Sequence, residues 1–119
     1  MKKNISQGSH YLISFWGCNH EQIESVNFWK KILTKSASEA KLIVLGSIYH
    51  KFNPHGITGI LLLSSSHMSV HTWPEHGYVA CDMFSCTKDK DTIKAVDFLK
   101  RNIQHEKIVI KKETRGYCL

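Results

Sequence analysis

With two prolines in 119 residues and no repeat or low-complexity tract, the chain is not disordered, collagen-like or linker-rich. No apolar run approaches the ~18 residues of a membrane-spanning helix. The start, Met1-Lys2-Lys3-Asn4-Ile5-Ser6-Gln7-Gly8, is basic but lacks the apolar stretch of a signal peptide, which points to a cytosolic protein. Acid is the scarcer charge: ten Asp and Glu stand against sixteen Lys and Arg, a formal net charge of +6. That balance invites a nucleic-acid partner, but no stacking motif accompanies it, and a solvated surface accounts for the charge. The four cysteines read as thiols, not as a disulfide framework.

What is present suits one domain spanning 1–119, with 42% hydrophobic residues and a core able to bury roughly two-thirds of the unfolded surface. Tyr11 to Trp16 predicts a strand. Asn19 is an N-cap with Gln22 placed to reach back to it, opening a helix to about Glu39 with Ile23, Val26, Ile32 and Leu33 on its apolar face. Lys41 to Tyr49 reads as a buried strand, and Asn53-Pro54-His55-Gly56 turns the chain into a strand over Ile57 to Leu63. Met68 to Trp73 alternates, Pro74-Glu75-His76-Gly77 turns, and Tyr78 to Phe84 follows. Asp91 to Ile103 is a second helix, with Ile93, Val96, Leu99 and Ile103 on one face, and Lys107 to Lys111 is a last strand. This order predicts an α+β fold: a two-layer α/β sandwich, its sheet rich in antiparallel pairs, with two helices on one face. The other face is left for a partner, and a homodimer covers it most simply.

Reactive residues concentrate between His50 and Cys86. A metal site would draw on His67, His71 and His76 with two cysteines nearby. In a strand, however, His67 and His71 stand roughly 13 Å apart, too far to share an ion, and Cys81 and Cys86 point to opposite faces. No metal is expected, and His10, His20, His76 and His105 read as ordinary surface or core residues. A nucleophile with a base is the other possibility: Ser66 follows an apolar strand, His71 lies nearby and Cys86 closes a later strand. Spacing alone does not establish such a site.

The longer pattern is more specific. Ser66-His67-Met68-Ser69-Val70-His71-Thr72-Trp73-Pro74-Glu75-His76-Gly77-Tyr78, followed by Asp82-Met83-Phe84-Ser85-Cys86, resembles the bacterial and archaeal S-adenosylmethionine decarboxylases. The likeness extends back to Phe52-x-Pro-x-Gly56-Ile57-Thr58-Gly59 and forward to Arg115-Gly116-Tyr117. It implies a proenzyme that cuts itself between Ser65 and Ser66, giving chains 1–65 and 66–119. The Ser66 hydroxyl would attack the carbonyl of Ser65, and elimination from the resulting ester would leave a pyruvoyl group derived from Ser66 as the cofactor. His71 matches the histidine that assists processing, and Thr58 a position usually held by serine that steadies the acyl-shift intermediate. Cys86 matches the acid that returns a proton to Cα, a task suited to a thiol. Phe52 and Trp73 match the aromatics that sandwich adenine, and Glu75 the carboxylate that holds the ribose hydroxyls. Taken singly, Phe52 and Trp73 read equally well as core aromatics, Glu75 as a solvated turn acid and Cys86 as a small buried residue; order and spacing together favour the site.

Two positions depart from the pattern. Ser65 stands where glutamate is usual, and Ser14 lies where many members carry a glutamate in the first strand. Both remove negative charge near a cationic substrate, which keeps ornithine or arginine, substrates of other members of the superfamily, as the alternative to S-adenosylmethionine. A homologue that has lost processing and acts without catalysis is the remaining alternative.

Overall fold

Alternation of side chains along each strand builds the molecule. The protein is described by a computed structural model over residues 4–118. The residues through Lys3, part of the stretch read as lacking a signal peptide, lie outside the described residues, as does the side chain of the fourth cysteine, Cys118. The elements are β1 (Asn4–Trp16), α1 (His20–Ile23), α2 (Val26–Glu39), β2 (Val44–Lys51), β3 (Ile57–Leu63), β4 (Ser66–Trp73), a 3-10 turn (Pro74–His76), β5 (Tyr78–Ser85), α3 (Asp89–Asn102) and β6 (Lys107–Cys118). The strands form one antiparallel sheet in the order β2-β3-β4-β5-β1-β6.

One face of this sheet is apolar. Ile13 and Phe15 of β1, Leu61 of β3, Val70 of β4 and Met83 of β5 are buried there beneath α2 and α3. The helices return Trp29, Ile32, Leu33 and Ala37 from α2, and Ala95, Val96 and Leu99 from α3. The buried Ser36 hydroxyl donates to the Ala95 carbonyl at 2.9 Å, fixing α2 against α3. The architecture is the α+β sandwich that the pattern predicts.

Several boundaries differ. The helix expected from Asn19 to Glu39 is two helices, because Ser25 is extended (φ −97°, ψ 115°) and its hydroxyl accepts from the Phe28 N–H as the N-cap of α2. Asn19 does cap α1, accepting from the Gln22 N–H at 2.8 Å, but the Gln22 side chain accepts from Gln104 instead of turning back to the cap. Trp29 is fully buried, and its indole N–H donates to the Ile23 carbonyl, tying α2 to α1. The strand expected to be buried over Lys41 to Tyr49 begins at Val44 and is a sheet edge. Leu42 is buried, but Ile43, Val44, Leu45 and Ile48 are exposed. Helix α3 starts at Asp89, and β6 runs on past Lys111 to Cys118 because it pairs with the long β1 as far as Asn4.

Among the described residues, no helix lies over the opposite face. Even-numbered residues of β1, β3 and β5 and odd-numbered residues of β4 point there, including exposed Leu12, Trp16, Ile60 and Leu62. Almost all of the polar residues singled out by sequence lie on this open face or at its ends.

Candidate active site

The register of β3 against β4 sets Thr58 opposite His71, and their side chains meet, Thr58 Oγ1 to His71 Nδ1, at 3.0 Å. They line a cleft of about 380 Å³ together with Phe52, His55, Trp73 and Glu75. A tight turn presents Phe52: its N–H donates to the Gly56 carbonyl at 2.8 Å, with Gly56 at φ +104°, where a side chain is strained. Trp73 ends β4, and Glu75 sits in the 3-10 turn that Gly77 closes in the left-handed conformation. Phe52 and Trp73 are 48% and 43% exposed, so neither is a core aromatic. Glu75 and Cys86 are exposed as well.

The other predicted residues gather at the far end of β4. Ser66 opens that strand at φ +151°, a backbone angle that L side chains rarely adopt. The Ser65 carbonyl accepts a hydrogen bond from the Cys86 N–H at 3.0 Å. Buried Ser85 donates to the Ser65 hydroxyl at 3.5 Å and joins Thr87 at 2.8 Å, which in turn meets Thr92 at 3.1 Å. These hydroxyls tie the Ser64–Ser65 turn to the start of α3. Ser66 and His71 are five positions apart along β4, which at the rise of a strand is roughly 17 Å. The structure therefore brings Thr58, His71, Phe52, Trp73 and Glu75 together, and Ser65, Ser66 and Cys86 together, as two groups within one chain.

Between them on the open face lies a cluster that spacing did not reveal. His10 of β1 and His67 of β4 both pair with Phe84 of β5, and Asp82 is two residues along the same face. His10 Nε2 and His67 Nε2 donate to one oxygen of Asp82, Oδ2, at 2.6 and 3.0 Å, while the Ser69 hydroxyl donates to Oδ1. Burial pushes the Asp82 carboxyl up, but the hydrogen bonds from Ser69, His10 and His67 outweigh it and hold its pKa below the usual value. An aromatic row continues from Trp73 to Tyr78 and on to Trp16, each step with ring centroids 5.4 Å apart. Ser14 hydrogen bonds to the Tyr78 hydroxyl at 3.0 Å. At the mouth of the cleft His55 reaches Glu24, which also holds His20. The hydrogen bond from His55 is the largest effect on the Glu24 carboxyl and, with His20, lowers its pKa against the pull of burial. These groups come from separate segments; the only sequence signal for them is shared parity on strands whose neighbours must first be known.

This geometry defines a class: a small α+β sandwich whose polar chemistry lies on the sheet face away from the helices. The same fold occurs in the crystal structure of the adenosylmethionine decarboxylase from Aquifex aeolicus, with a TM-score of 0.88 and 32% identity over 93% of this chain and 92% of that one. A sequence model of the S-adenosylmethionine decarboxylase family matches residues 9–116. Among relatives described as S-adenosylmethionine decarboxylase proenzymes, one from Clostridium botulinum is 38% identical over 92% of this chain and 94% of its own length. Another, from a Sulfurihydrogenibium species, is 40% identical over 98% of this chain and 86% of its own. The chain belongs to the S-adenosylmethionine decarboxylase family.

Proposed function

We propose that this chain is a cytoplasmic proenzyme that cleaves itself between Ser65 and Ser66 and then decarboxylates S-adenosylmethionine, supplying the aminopropyl donor for spermidine synthesis. The observation that carries the reading is the Cys86 N–H on the Ser65 carbonyl oxygen. When the Ser66 hydroxyl adds to that carbonyl carbon, negative charge develops on an oxygen that already faces a fixed donor, so little reorganisation is needed. The Ser66 nitrogen then leaves with a proton, and an ester links the two residues. The positive φ at Ser66 favours this step, because a strained residue of this kind costs on the order of 1–3 kcal/mol while the peptide bond is intact.

Elimination requires a base for the Ser66 α-proton. With His71 Nδ1–H donating to Thr58, Nε2 keeps a lone pair for that proton. The Ser65 carboxylate leaves, and hydrolysis of the dehydroalanine with loss of ammonia completes a pyruvoyl group. That group supplies an electrophilic carbonyl that binds the substrate amine and accepts the electron pair left as CO2 departs. Cys86, exposed beside the Ser65 turn, would return a proton to Cα. Phe52 and Trp73 would stack on adenine and Glu75 would accept hydrogen bonds from the ribose hydroxyls; the cleft volume suits a ligand of that size. An aromatic slot of this kind would be idle with ornithine or arginine.

The two groups along β4 support a homodimer in which Thr58 and His71 of one protomer face Ser66 and Cys86 of its partner. The open face, with Leu12, Ile60 and Leu62 exposed, is the apolar surface such a partner would cover. Intact-mass measurement of the purified protein tests processing. Two chains, 1–65 and a blocked 66–119, are expected, and a persistent full-length chain with unmodified Ser66 would overturn the reading. Parallel assays of CO2 release from carboxyl-labelled S-adenosylmethionine, ornithine and arginine then identify the substrate, with release expected from the first alone.

A further inference from the structure

From the geometry of His10, His67 and Asp82 we infer that the open face carries a binding site for one borderline divalent transition-metal ion, such as Zn2+ or Co2+. Each residue offers a ligand atom, and the three atoms lie within 4.8 Å of one another. The two imidazole nitrogens sit 2.6 and 3.0 Å from the same carboxylate oxygen. A zinc ion bound at 2.0–2.1 Å sets its tetrahedral ligands about 3.3 Å apart. Lengthening the His10 contact by about 0.7 Å and the His67 contact by about 0.3 Å therefore admits the ion in place of the imidazole protons that now point at Asp82.

The surroundings suit such an ion. The Ser69 hydroxyl donates to Asp82 Oδ1, which fixes the carboxylate with Oδ2 turned to the histidines; supporting bonds of this kind are what hold metal-binding carboxylates in place. Three strands supply the ligands in a single register, so the triad rests on the sheet and not on a loop. Among the described residues, Arg115 is the cation beside the site, its guanidinium contacting His10 Nδ1 at 3.4 Å. When the metal takes Nε2, the proton of His10 must sit on Nδ1, and Arg115 must withdraw. It already lies over the Phe84 ring at 5.3 Å, so it can withdraw while keeping that contact. Two imidazoles and one carboxylate favour zinc, cobalt or nickel over magnesium or calcium, which prefer all-oxygen sets. The triad fills three positions of the ion, and in the single chain its three residues are partly exposed; in the proposed dimer the fourth position faces the space between the two sheets, where a water can complete the set.

The spacing argument against a metal rested on His67 with His71, which do not meet. The second histidine comes instead from β1, 57 residues earlier than His67. The test is titration of the full, metal-stripped protein with Co2+, read by its visible absorption, with Zn2+ competition as the second arm. One equivalent per chain is expected for the unmodified protein. His10→Gln and His67→Gln should each weaken binding by more than 10-fold, and Ser69→Ala by about 10–100-fold, the usual cost of losing such a supporting bond. His55→Gln, in the unrelated Glu24 cluster, should bind like the parent. Circular dichroism confirms that each variant is folded. No stoichiometric binding by the unmodified protein, or equal affinity in His10→Gln and the parent, would overturn the site. The readout needs no decarboxylation, so its failure and a failure of processing are separate results.

Discussion

At the scale of single residues, the site depends on which side chains face the substrate and which face one another. Trp73 is half exposed at the end of β4, with the tilted rings of His71 and Tyr78 at centroid distances of 6.4 and 5.4 Å. Its removal should therefore cost binding more than folding. Trp73→Ala is expected to raise KM for S-adenosylmethionine by roughly 5- to 150-fold, the equivalent of 1–3 kcal/mol for a lost base-stacking partner. The melting temperature and the extent of self-cleavage should stay near the parent values; a change in kcat with KM unmoved would contradict a stacking role. Asp82 makes a different prediction, about pH. Its pKa is lower in the folded protein than in the unfolded chain, so its contribution to stability is present above about pH 4 and is lost as pH falls through the folded value. Thermal melting from pH 7 to pH 3 should show a smaller loss of stability in Asp82→Asn than in the parent. An equal loss in both would show that the carboxylate is not stabilised by Ser69, His10 and His67.

At the scale of elements, strand ends decide where chemistry can occur. The bulge between Ser6 and Gly8 presses Gly8 against the backbone of Ser85 and Cys86, and Gly8 holds φ +144°. A Cβ there would come 2.9 Å from the Ser85 carbonyl carbon and 3.1 Å from the Cys86 Cα. Gly8→Ala should thus displace the Cys86 N–H from the Ser65 carbonyl and slow self-cleavage by at least 10-fold, followed as the fraction of full-length chain with time after synthesis. Cleavage at the parent rate would show that this contact does not set the rate. The strands and the α3 face were legible in the sequence because alternation over Ile57 to Leu63 and Tyr78 to Phe84, and the spacing of Val96 and Leu99, follow directly from burial of one face. The break at Ser25 was not, because the apolar period runs through it and only the packing of Trp29 against Ile23 shows why two helices are needed. The exposed β2 edge was misread for a similar reason. A run such as Leu42-Ile43-Val44-Leu45 is apolar whether a helix layer or another molecule covers it.

At the scale of the whole molecule, the separation along β4 is the decisive fact. Ser66 and His71 stand in sequence like partners in one site, but an extended strand keeps them roughly 17 Å apart. If two protomers complete each other's sites, co-expression with the Ser66→Ala chain should restore cleavage of the His71→Ala chain. In the mixed dimer the His71→Ala chain keeps Ser66 and meets an intact His71 from its partner, so that chain alone should be cleaved. Each variant expressed by itself should remain full length. No cleavage in purified mixed dimers would remove the shared-site arrangement. Cleavage of the His71→Ala chain on its own would show that His71 is not the base.

The 42% hydrophobic content and the scarcity of proline bounded the chain to an ordinary globular protein. The ordered block from Ser66 to Cys86 carried the family, because side-chain identity and order are written directly in the chain. Sequence also gave the alternation that separates a buried sheet face from an open one. Tertiary structure alone decided which open-face residues are neighbours. The pairing of β3 with β4 joins Thr58 to His71, and that of β1 and β4 with β5 gathers His10, His67 and Asp82. Strand order and register bring these groups together, and both come from the packing of the whole sheet, where no local stretch of sequence fixes the distance between segments far apart in the chain.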